Sequence, residues 1–160
     1  MRLPPENLHG YCMRLLGETW KLLLTDNKKI VCNAEERTLY LPQINARDRL
    51  IVWLKSNAKR IFTELTAQTA ARMGVAYKSV AVTSARGRWG SCSYHNAVHY
   101  SFRLVYAPKH VIEYVVTHEL AHTIHKNHSA SFWREVEKYC PDWREKRAWL
   151  KQNAALMYIF

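Results

Sequence analysis

Apolar residues recur every three or four positions in the first half of the chain, which predicts an amphipathic helix from about Ala46 to Met73. Asn45 is the predicted N-cap, Asp48 occupies the third helical position, and Gly74 is a natural stop. The predicted buried stripe consists of Leu50, Leu54, Ile61, Phe62, Leu65 and Met73. The other faces carry cations that we expect to be solvated, namely Arg47, Arg49, Lys55, Lys59, Arg60 and Arg72.

Short apolar runs between turn residues predict strands on either side of this helix. Residues 19–41 are expected to form a small antiparallel sheet that ends at Pro42. Residues 78–83 and 96–105 alternate apolar and polar positions and are expected to make a β-hairpin leading straight into Pro108. The predicted class is therefore α+β, with a small antiparallel sheet packed on the long helix and on a second helix that starts near Pro108.

The second helix carries the candidate chemistry of the chain. An apolar run before residue 118 predicts that it is buried, and it then reads His-Glu-Leu-Ala-His. His118 and His122 lie one turn apart on the same face, where two neutral imidazoles can share one divalent ion. Glu119 then lies beside the open coordination position, where its carboxylate can take a proton from the attacking water. Since a catalytic zinc site has three protein ligands, His128 is the predicted third ligand, six residues beyond His122.

His125 is the rival third ligand. It follows His118 by seven residues, so a continuing helix would hold it about 10 Å further along the axis, out of reach of the same ion. A solvated side chain near the helix end is the favoured interpretation of His125. Asn127 tolerates the left-handed conformation that would end the helix and bring His128 back.

Two further helices are predicted after the metal motif. Ser129 can cap the first, which turns Phe132, Trp133, Val136 and Tyr139 inward and is broken by Pro141. The second runs from about Trp143 to Leu156. Three carboxylates in this region could orient a ligand imidazole through its second nitrogen, although such acids are more often simply exposed: Glu135, Glu137 and Asp142.

Length and charge limit the class of protein. The 160 residues suit one domain, with strands in about 1–43 and a helical core with the metal site in about 44–160. Residues 1–10 lack the apolar stretch of a secretory signal, no run is long enough to span a membrane, and the four scattered cysteines are typical of reduced thiols. We therefore expect a cytoplasmic protein without a membrane partner. The net charge of +11 favours a polyanionic partner such as nucleic acid, or an acidic substrate, although a basic soluble surface is the simpler explanation.

The segment between the predicted hairpin strands is unusual in composition. Two glycines and two arginines surround Trp89 in residues 84–93, which indicates a backbone that bends or lets another backbone approach. An exposed sheet edge beside a zinc helix would offer hydrogen bonds to an extended peptide. The candidate substrate-binding residues are Arg88, Trp89, Gly90 and Ser91. Trp89 could equally be an aromatic that anchors the loop.

Several motifs occur in a familiar order. They are Arg88–Cys92 (RWGSC), Arg103-Leu104, Val111–His122 (VIEYVVTHELAH), Asn127–Ser129 (NHS), Phe132-Trp133 and Pro141-Asp142. This order resembles the YgjP-like metallopeptidase-like family, which is related to the WLM and SprT/Spartan-type zinc proteases. The resemblance is strong over roughly residues 84–143 and weak before it. Two features depart from the family pattern: the Tyr94–His99 turn and the additional imidazole of His125.

The resemblance implies a zincin-like α+β domain with His118, His122 and His128 as zinc ligands and Glu119 as general base. The expected activity is zinc-dependent hydrolysis of peptide bonds in a peptide or protein substrate. A nucleic-acid-associated protease or binding module acting on DNA-bound proteins is the alternative, and a structural zinc domain is a third hypothesis. The group that would stabilise the oxyanion stays open among Tyr100, Arg103, Tyr139 and the remaining histidines.

Overall fold

The computed structural model describes residues 4–160. Residues 1–3 lie outside the described residues; they are the first part of the segment 1–10, which is predicted to lack the apolar stretch of a secretory signal. The described chain contains seven strands: β1 Cys12–Leu15, β2 Glu18–Thr25, β3 Val31–Asn33, β4 Thr38–Pro42, β5 Ser79–Thr83, β6 Gly90–Cys92 and β7 Ala97–Ser101. Over the same residues there are four α-helices: α1 Ala46–Met73, α2 Lys109–Ala121, α3 Ala130–Tyr139 and α4 Trp143–Gln152. Short 3-10 helices occupy Phe102–Tyr106 and Ala154–Tyr158.

Helix α1 has the bounds that the sequence predicts. Four residues of the predicted stripe are buried, whereas Ile61 and Leu65 are only partly buried. Gly74 ends it in a left-handed conformation (φ 68°), and the amide of Val75 donates to the carbonyl of Ala70 across this turn. The prediction for Asn45 is wrong in its mechanism. Asn45 is the N-cap residue, but it is left-handed (φ 54°) and its side chain makes no cap hydrogen bond, so Asp48 is the residue that places negative charge in the first turn.

The N-terminal sheet has the order β1-β2-β4-β3, and β2 pairs with β4 in parallel. The sequence predicts antiparallel pairing throughout and misses β1. The difference follows from burial, because four of the five residues of β4 are buried whereas Val31 and Cys32 of β3 are exposed. The buried strand β4 lies inside the sheet, and the short, exposed strand β3 lies at its edge.

The second sheet has the order β5-β7-β6, with β5 parallel to β7 and β6 antiparallel to it. The predicted hairpin between residues 78–83 and 96–105 is therefore wrong; the hairpin joins β6 to β7 through a turn in which Asn96 is left-handed (φ 62°). The strand also ends earlier than predicted, at Ser101. A 3-10 helix over residues 102–106 buries all five of its residues, which strand alternation could not do.

The metal helix α2 lies at the centre of this arrangement. It packs against α1, α3, α4 and β6, and nine of its thirteen residues are buried. The β1–β2 turn meets its start, since a Cβ on Gly17 would lie 3.3 Å from the Cα of Pro108. Among the helices of residues 4–160, none combines the length and apolar character needed to cross a membrane.

Candidate metal centre and cleft

Three imidazoles converge at the end of α2. The Nε2 atom of His128 lies 3.1 Å from Nε2 of His118 and 3.2 Å from Nε2 of His122. Within residues 4–160 these three side chains form the group of His, Cys, Asp or Glu residues whose ligand atoms are close enough to share an ion. Sequence reasoning brought the same three residues together from their spacing alone.

The turn after α2 carries His128 back to the helix. The amides of Thr123, Ile124 and His125 bond to carbonyls of the last turn of α2, so the chain tightens before it reverses. Asn127 is not left-handed, contrary to the prediction; the reversal needs no such residue. His125 contributes its backbone, because its carbonyl lies 2.9 Å from Nδ1 of His122. When Nδ1 donates this bond, the lone pair of His122 is on Nε2, facing the other two histidines.

Helix α3 supplies an aromatic surround for these rings. Ser129 caps it, as predicted, by accepting a hydrogen bond from the amide of Phe132. The Phe132 ring stacks on His122, with centroids 4.4 Å apart, and meets His118 and His128 edge-on at 4.9 Å each. Trp133 stacks on His128 with centroids 5.8 Å apart. These contacts restrict the ring orientations that place three nitrogens at one point.

The protonation of His118 and His122 suits the binding of a metal cation rather than of protons. Burial lowers the pKa of His118 to about 3, helped by the neighbouring His122 and His128 and by Arg147, and burial also lowers the pKa of His122. Both rings are therefore neutral at pH 7, which is the form that binds metals. Bonds of about 2.0–2.1 Å to a tetrahedral zinc would separate neighbouring nitrogens by about 3.3–3.4 Å. The observed 3.1 and 3.2 Å fit this geometry closely.

Glu119 lies next to the imidazoles and is almost completely buried, with 6% of its surface exposed. Burial raises the pKa of its carboxyl to about 8, against an opposing effect of the Arg88 charge. The backbone of β6 passes directly over it: a Cβ built on Gly90 would stand 2.6 Å from Oε1 of Glu119. Gly90 is therefore required for close approach, which is what the composition of residues 84–93 predicts.

The strand above Glu119 has a free edge. The amide of Ser101 donates to the carbonyl of Trp89, and the amide of Ser93 donates to the carbonyl of Ala97. Residues 89, 91 and 93 thus bond towards β7, and alternation directs the N–H and C=O groups of Gly90 and Cys92 to the opposite side. Since β6 is the last strand of its sheet, these groups form a free edge. Gly90 also lines the pocket beside His118 and Glu119.

A pocket of about 360 Å³ opens between β6, α2 and α4 beside Glu119. Its walls include Trp89 and Gly90 from the predicted segment, Tyr114 and Val115 from α2, and Arg147, Leu150 and Lys151 from α4. Sequence reasoning missed the α4 residues because nothing in their local pattern points to the metal motif. One sequence signal could have identified these α4 residues. Arg147 and Lys151 are cations four residues apart, with the apolar and buried Leu150 between them in the sequence.

Other candidate residues lie elsewhere. Ser91 faces a shallow cavity on the other side of β6, together with the exposed Arg88 and with His99. Arg103 is buried against the backbone carbonyls of Ser84, Ile159 and Phe160, and Tyr100 is buried against Thr66, so neither reaches the cleft.

The three downstream carboxylates do not orient the ligand imidazoles. They pair instead with cations, Glu135 with Lys138, Glu137 with Arg144 and Asp142 with Lys146. Nδ1 of His118 is buried and has no hydrogen-bond partner among the described residues. His118 is held by ring contacts with Tyr114, Phe132 and Trp133.

Three convergent histidines, a buried glutamate and an adjacent sheet edge are the composition of a metallopeptidase centre on an α+β fold. The family comparison agrees: the model of the YgjP-like metallopeptidase domain matches residues 2–153, and the chain belongs to this family. The family implies a metal ion and a peptide or protein substrate. No match was found in a comparison with curated protein sequences.

Two solved structures share the fold. One is the metallopeptidase zymogen jannalysin of Methanocaldococcus jannaschii, with a TM-score of 0.52 and 16% identity over 57% of this chain and 95% of that one. The other is the metallopeptidase zymogen abylysin of Pyrococcus abyssi, with a TM-score of 0.51 and 22% identity over 57% of this chain and 93% of that one. The predicted zincin-like α+β class is thereby confirmed.

Proposed function

We propose that this protein is a zinc-dependent peptidase in which His118, His122 and His128 hold the metal and Glu119 is the general base. The observation that carries the proposal is the convergence of three Nε2 atoms, 3.1 and 3.2 Å apart, beside a buried carboxyl under a free strand edge. Three nitrogen ligands without a fourth protein ligand are typical of catalytic rather than structural zinc. His125 lies outside the ligand group, which disfavours the structural-zinc hypothesis.

Each residue of the centre has a separate task. A zinc ion in this site would polarise the scissile carbonyl and lower the pKa of a coordinated water. Glu119 accepts the proton of the attacking water and then passes it to the leaving amine. Its burial supports this role, because a carboxyl in an apolar site exchanges a proton near neutral pH more readily than an exposed one.

The substrate is expected to bind as an extended strand along β6. The free N–H and C=O groups of Gly90 and Cys92 would pair with substrate backbone, most favourably in antiparallel orientation. Trp89 would contact a substrate side chain in the pocket beside Glu119. Arg88 and Ser91 remain proposed as substrate-binding residues on the outer face of the strand.

Metal content and peptide cleavage of two variants test the proposal. We expect about one zinc per wild-type chain, nearly full zinc in Glu119→Gln, and little zinc in His128→Ala. Peptide cleavage should be lost in both variants, in the first because the base is removed and in the second because the metal is lost. Cleavage at the wild-type rate by Glu119→Gln would exclude its role as base, and full zinc in His128→Ala would exclude that ligand.

A further inference from the structure

The pocket beside Glu119 carries two cations that have no carboxylate partner. Arg147 and Lys151 line it from α4, separated by one turn, with the buried Leu150 between them. Ion pairs among residues 4–160 involve four other cations, and neither Arg147 nor Lys151 is one of them. On the same helix Arg144 and Lys146 are neutralised by Glu137 and Asp142. The unpaired positive charge of α4 therefore lies at the pocket.

Arg147 is exposed, and its guanidinium lies against an aromatic ring of α3. Its guanidinium lies 5.3 Å from the centroid of the Trp133 ring, and Trp133 in turn stacks on Trp143 with centroids 4.1 Å apart. A guanidinium placed on an aromatic face loses little freedom when it binds a carboxylate.

The pocket has one carboxyl in its wall, Glu119, opposite two cations. Its remaining walls, including Trp89, Tyr114, Val115 and Leu150, are largely apolar. A ligand group that fits must combine a short apolar stem with a terminal negative charge. Asp and Glu side chains have this form.

The strand direction tells which substrate residue enters the pocket. The pocket adjoins Trp89 and Gly90, at the N-terminal end of β6. If the substrate strand is antiparallel to β6, its C-terminal part lies beside the N-terminal end of β6. The pocket therefore receives the side chain of the residue that follows the scissile bond. The opposite end of β6, at Cys92 and Ser93, would face the residues before that bond.

We propose that Arg147 and Lys151 select a carboxylate at this position, supplied by an Asp or Glu side chain directly after the cleaved bond. This inference rests on the proposed peptidase function and adds a substrate class to it. A second source of the same chemistry is the free terminal carboxylate of a peptide cut near its end. The two sources differ in their response to amidation of the C-terminus.

Cleavage-site profiling of a peptide library with amidated and free C-termini tests the proposal. With zinc-loaded wild-type protein we expect Asp and Glu to be enriched directly after the cleaved bond in amidated peptides. One charge-assisted hydrogen bond corresponds to a preference for Glu over Gln of about 10- to 100-fold in kcat/KM. Lys151→Glu, and more strongly Arg147→Glu with Lys151→Glu, should reverse the preference towards Lys and Arg. Cleavage confined to free C-termini would assign the pocket to the terminal carboxylate.

Lys109→Glu is the matched control, because Lys109 is exposed on the first turn of α2 and outside the pocket. It should leave the profile unchanged. Binding of amidated Glu and Gln peptides to zinc-loaded Glu119→Gln, followed by fluorescence anisotropy, gives a readout that needs no turnover. We expect the Glu peptide to bind about 10- to 100-fold more tightly, and this difference to vanish in the charge-reversed background.

The outcomes separate the two proposals. Cleavage by wild-type protein without acidic enrichment, or a profile shifted as much by Lys109→Glu as by Lys151→Glu, overturns the carboxylate inference and leaves the peptidase function intact. Absence of cleavage by the zinc-loaded wild type argues against the peptidase function. In that case the anisotropy measurement decides the inference, since equal binding of the Glu and Gln peptides would reject it.

Discussion

At the scale of single residues, the closest contact in the centre is between a glycine and the buried glutamate. A Cβ on Gly90 would lie 2.6 Å from Oε1, 2.9 Å from Cγ and 3.0 Å from Cδ of Glu119. Real Cβ atoms do not approach other atoms so closely, and Glu119 is packed on a buried helix with little room to retreat. A methyl group at this position would displace the carboxyl.

We therefore expect Gly90→Ala to lower kcat/KM by about 10-fold or more while the zinc content stays near one per chain, because misplacement by an ångström costs catalysis without removing ligands. Gly87→Ala is the control. Gly87 belongs to the same segment, and a Cβ there would meet nothing within 4 Å. Equal activity of the two variants would contradict the steric role of Gly90.

The buried carboxyl also predicts a pH dependence of stability in the metal-free protein. The pKa of Glu119 is raised from 4.5 to about 8 in the folded state. Between these values the folded protein binds more protons than the unfolded chain, so this group lowers the free energy of unfolding as pH rises, by at most about 1.4 kcal/mol per pH unit. The effect is absent below the unfolded pKa and complete above the folded one.

Glu119→Gln removes this penalty. In urea unfolding of the metal-free proteins, the stability of the variant relative to the wild type should increase from pH 5 to pH 8 and then level off. The contribution of His118 is common to both proteins and cancels in the difference. If the free energies of unfolding of the two proteins changed in parallel over this pH range, burial would not raise the pKa of the Glu119 carboxyl.

Residue identity at the centre was largely predictable, because helical spacing alone places His118, Glu119 and His122 together. The third histidine needed a turn whose course the sequence suggested only in outline. Arg147 and Trp133 could not be connected to the centre from the sequence. They reach it through the packing of α3 and α4 on α2, and local periodicity carries no information on such packing.

At the scale of elements, α3 has a direct relation to the metal ligands. Phe132 contacts all three imidazole rings, with centroids 4.4 to 4.9 Å apart, and is completely buried. Val136 is also buried on the same helix, one turn further on. The two residues share burial but only Phe132 has ring contacts with the histidines.

This difference gives a matched comparison. Phe132→Ala should lower the free energy of unfolding of the metal-free protein by about 3–5 kcal/mol, and Val136→Ala by a smaller amount of the same kind. Phe132→Ala should in addition weaken zinc binding by about 10-fold or more, because the rings lose the surface that aligns them. Equal zinc affinity of the two variants in a competition titration would contradict the aligning role.

Sequence patterns predicted elements far better than their pairing. The bounds of α1 follow from its stripe and from Gly74, and α2 begins directly after Pro108 as expected. The strand orders could not be predicted from these patterns. In the structure β4 lies between β2 and β3, and β7 lies between β5 and β6. The position of a strand within a sheet depends on its burial against α1 and the rest of the core. This burial involves distant parts of the chain, so the alternation of apolar and polar residues within one strand does not predict it.

At the scale of the whole molecule, Arg103 connects distant parts of the chain. Only 3% of its surface is exposed, and its guanidinium donates to the carbonyls of Ser84 at 2.9 Å and Ile159 at 3.0 Å and also to that of Phe160. The guanidinium also lies 4.5 Å from the centroid of the Phe102 ring. The loop after β5 and the segment after α4 are therefore fixed to the same point.

Replacement of Arg103 by Met should keep the apolar contacts and leave the carbonyls of Ser84, Ile159 and Phe160 without this donor, the last two of them buried. We expect a loss of about 2–5 kcal/mol in the free energy of unfolding, measured by urea denaturation. Arg86→Met, at an exposed arginine of the neighbouring loop, should change stability by less than about 0.5 kcal/mol. Similar losses in both variants would indicate a general charge effect.

The net charge of the molecule bears on the nucleic-acid hypothesis. Several of the α1 cations that the sequence predicts to be solvated are engaged within the chain: Arg49 with the carbonyl of Lys28, Lys59 with that of Val80, and Lys55 over the Phe102 ring. Two cations of α4, Arg147 and Lys151, instead line the cleft. An acidic peptide is therefore the polyanionic partner that the charge distribution favours.

We propose that residues 1–160 form one domain, as the length predicts. Buried residues from the N-terminal sheet, from α1 and from α2 belong to one continuous core, including Leu22, Leu39, Phe62 and Val116. The β1–β2 turn rests on Pro108, directly before the metal helix. Separation of the N-terminal strands would expose this core and the start of α2.

The shortness of β6 has a consequence for what the protein could act on. Three residues at about 3.3 Å each give an edge of about 10 Å, enough to template only a few residues of an incoming chain. A protein substrate would have to present a segment of this length whose backbone N–H and C=O groups are not already paired. Segments in helices or in paired strands do not meet this condition. Under the proposed mechanism, hydrolysis therefore requires local unfolding of the substrate protein. Well-folded proteins would not be cleaved, even without an inhibitor.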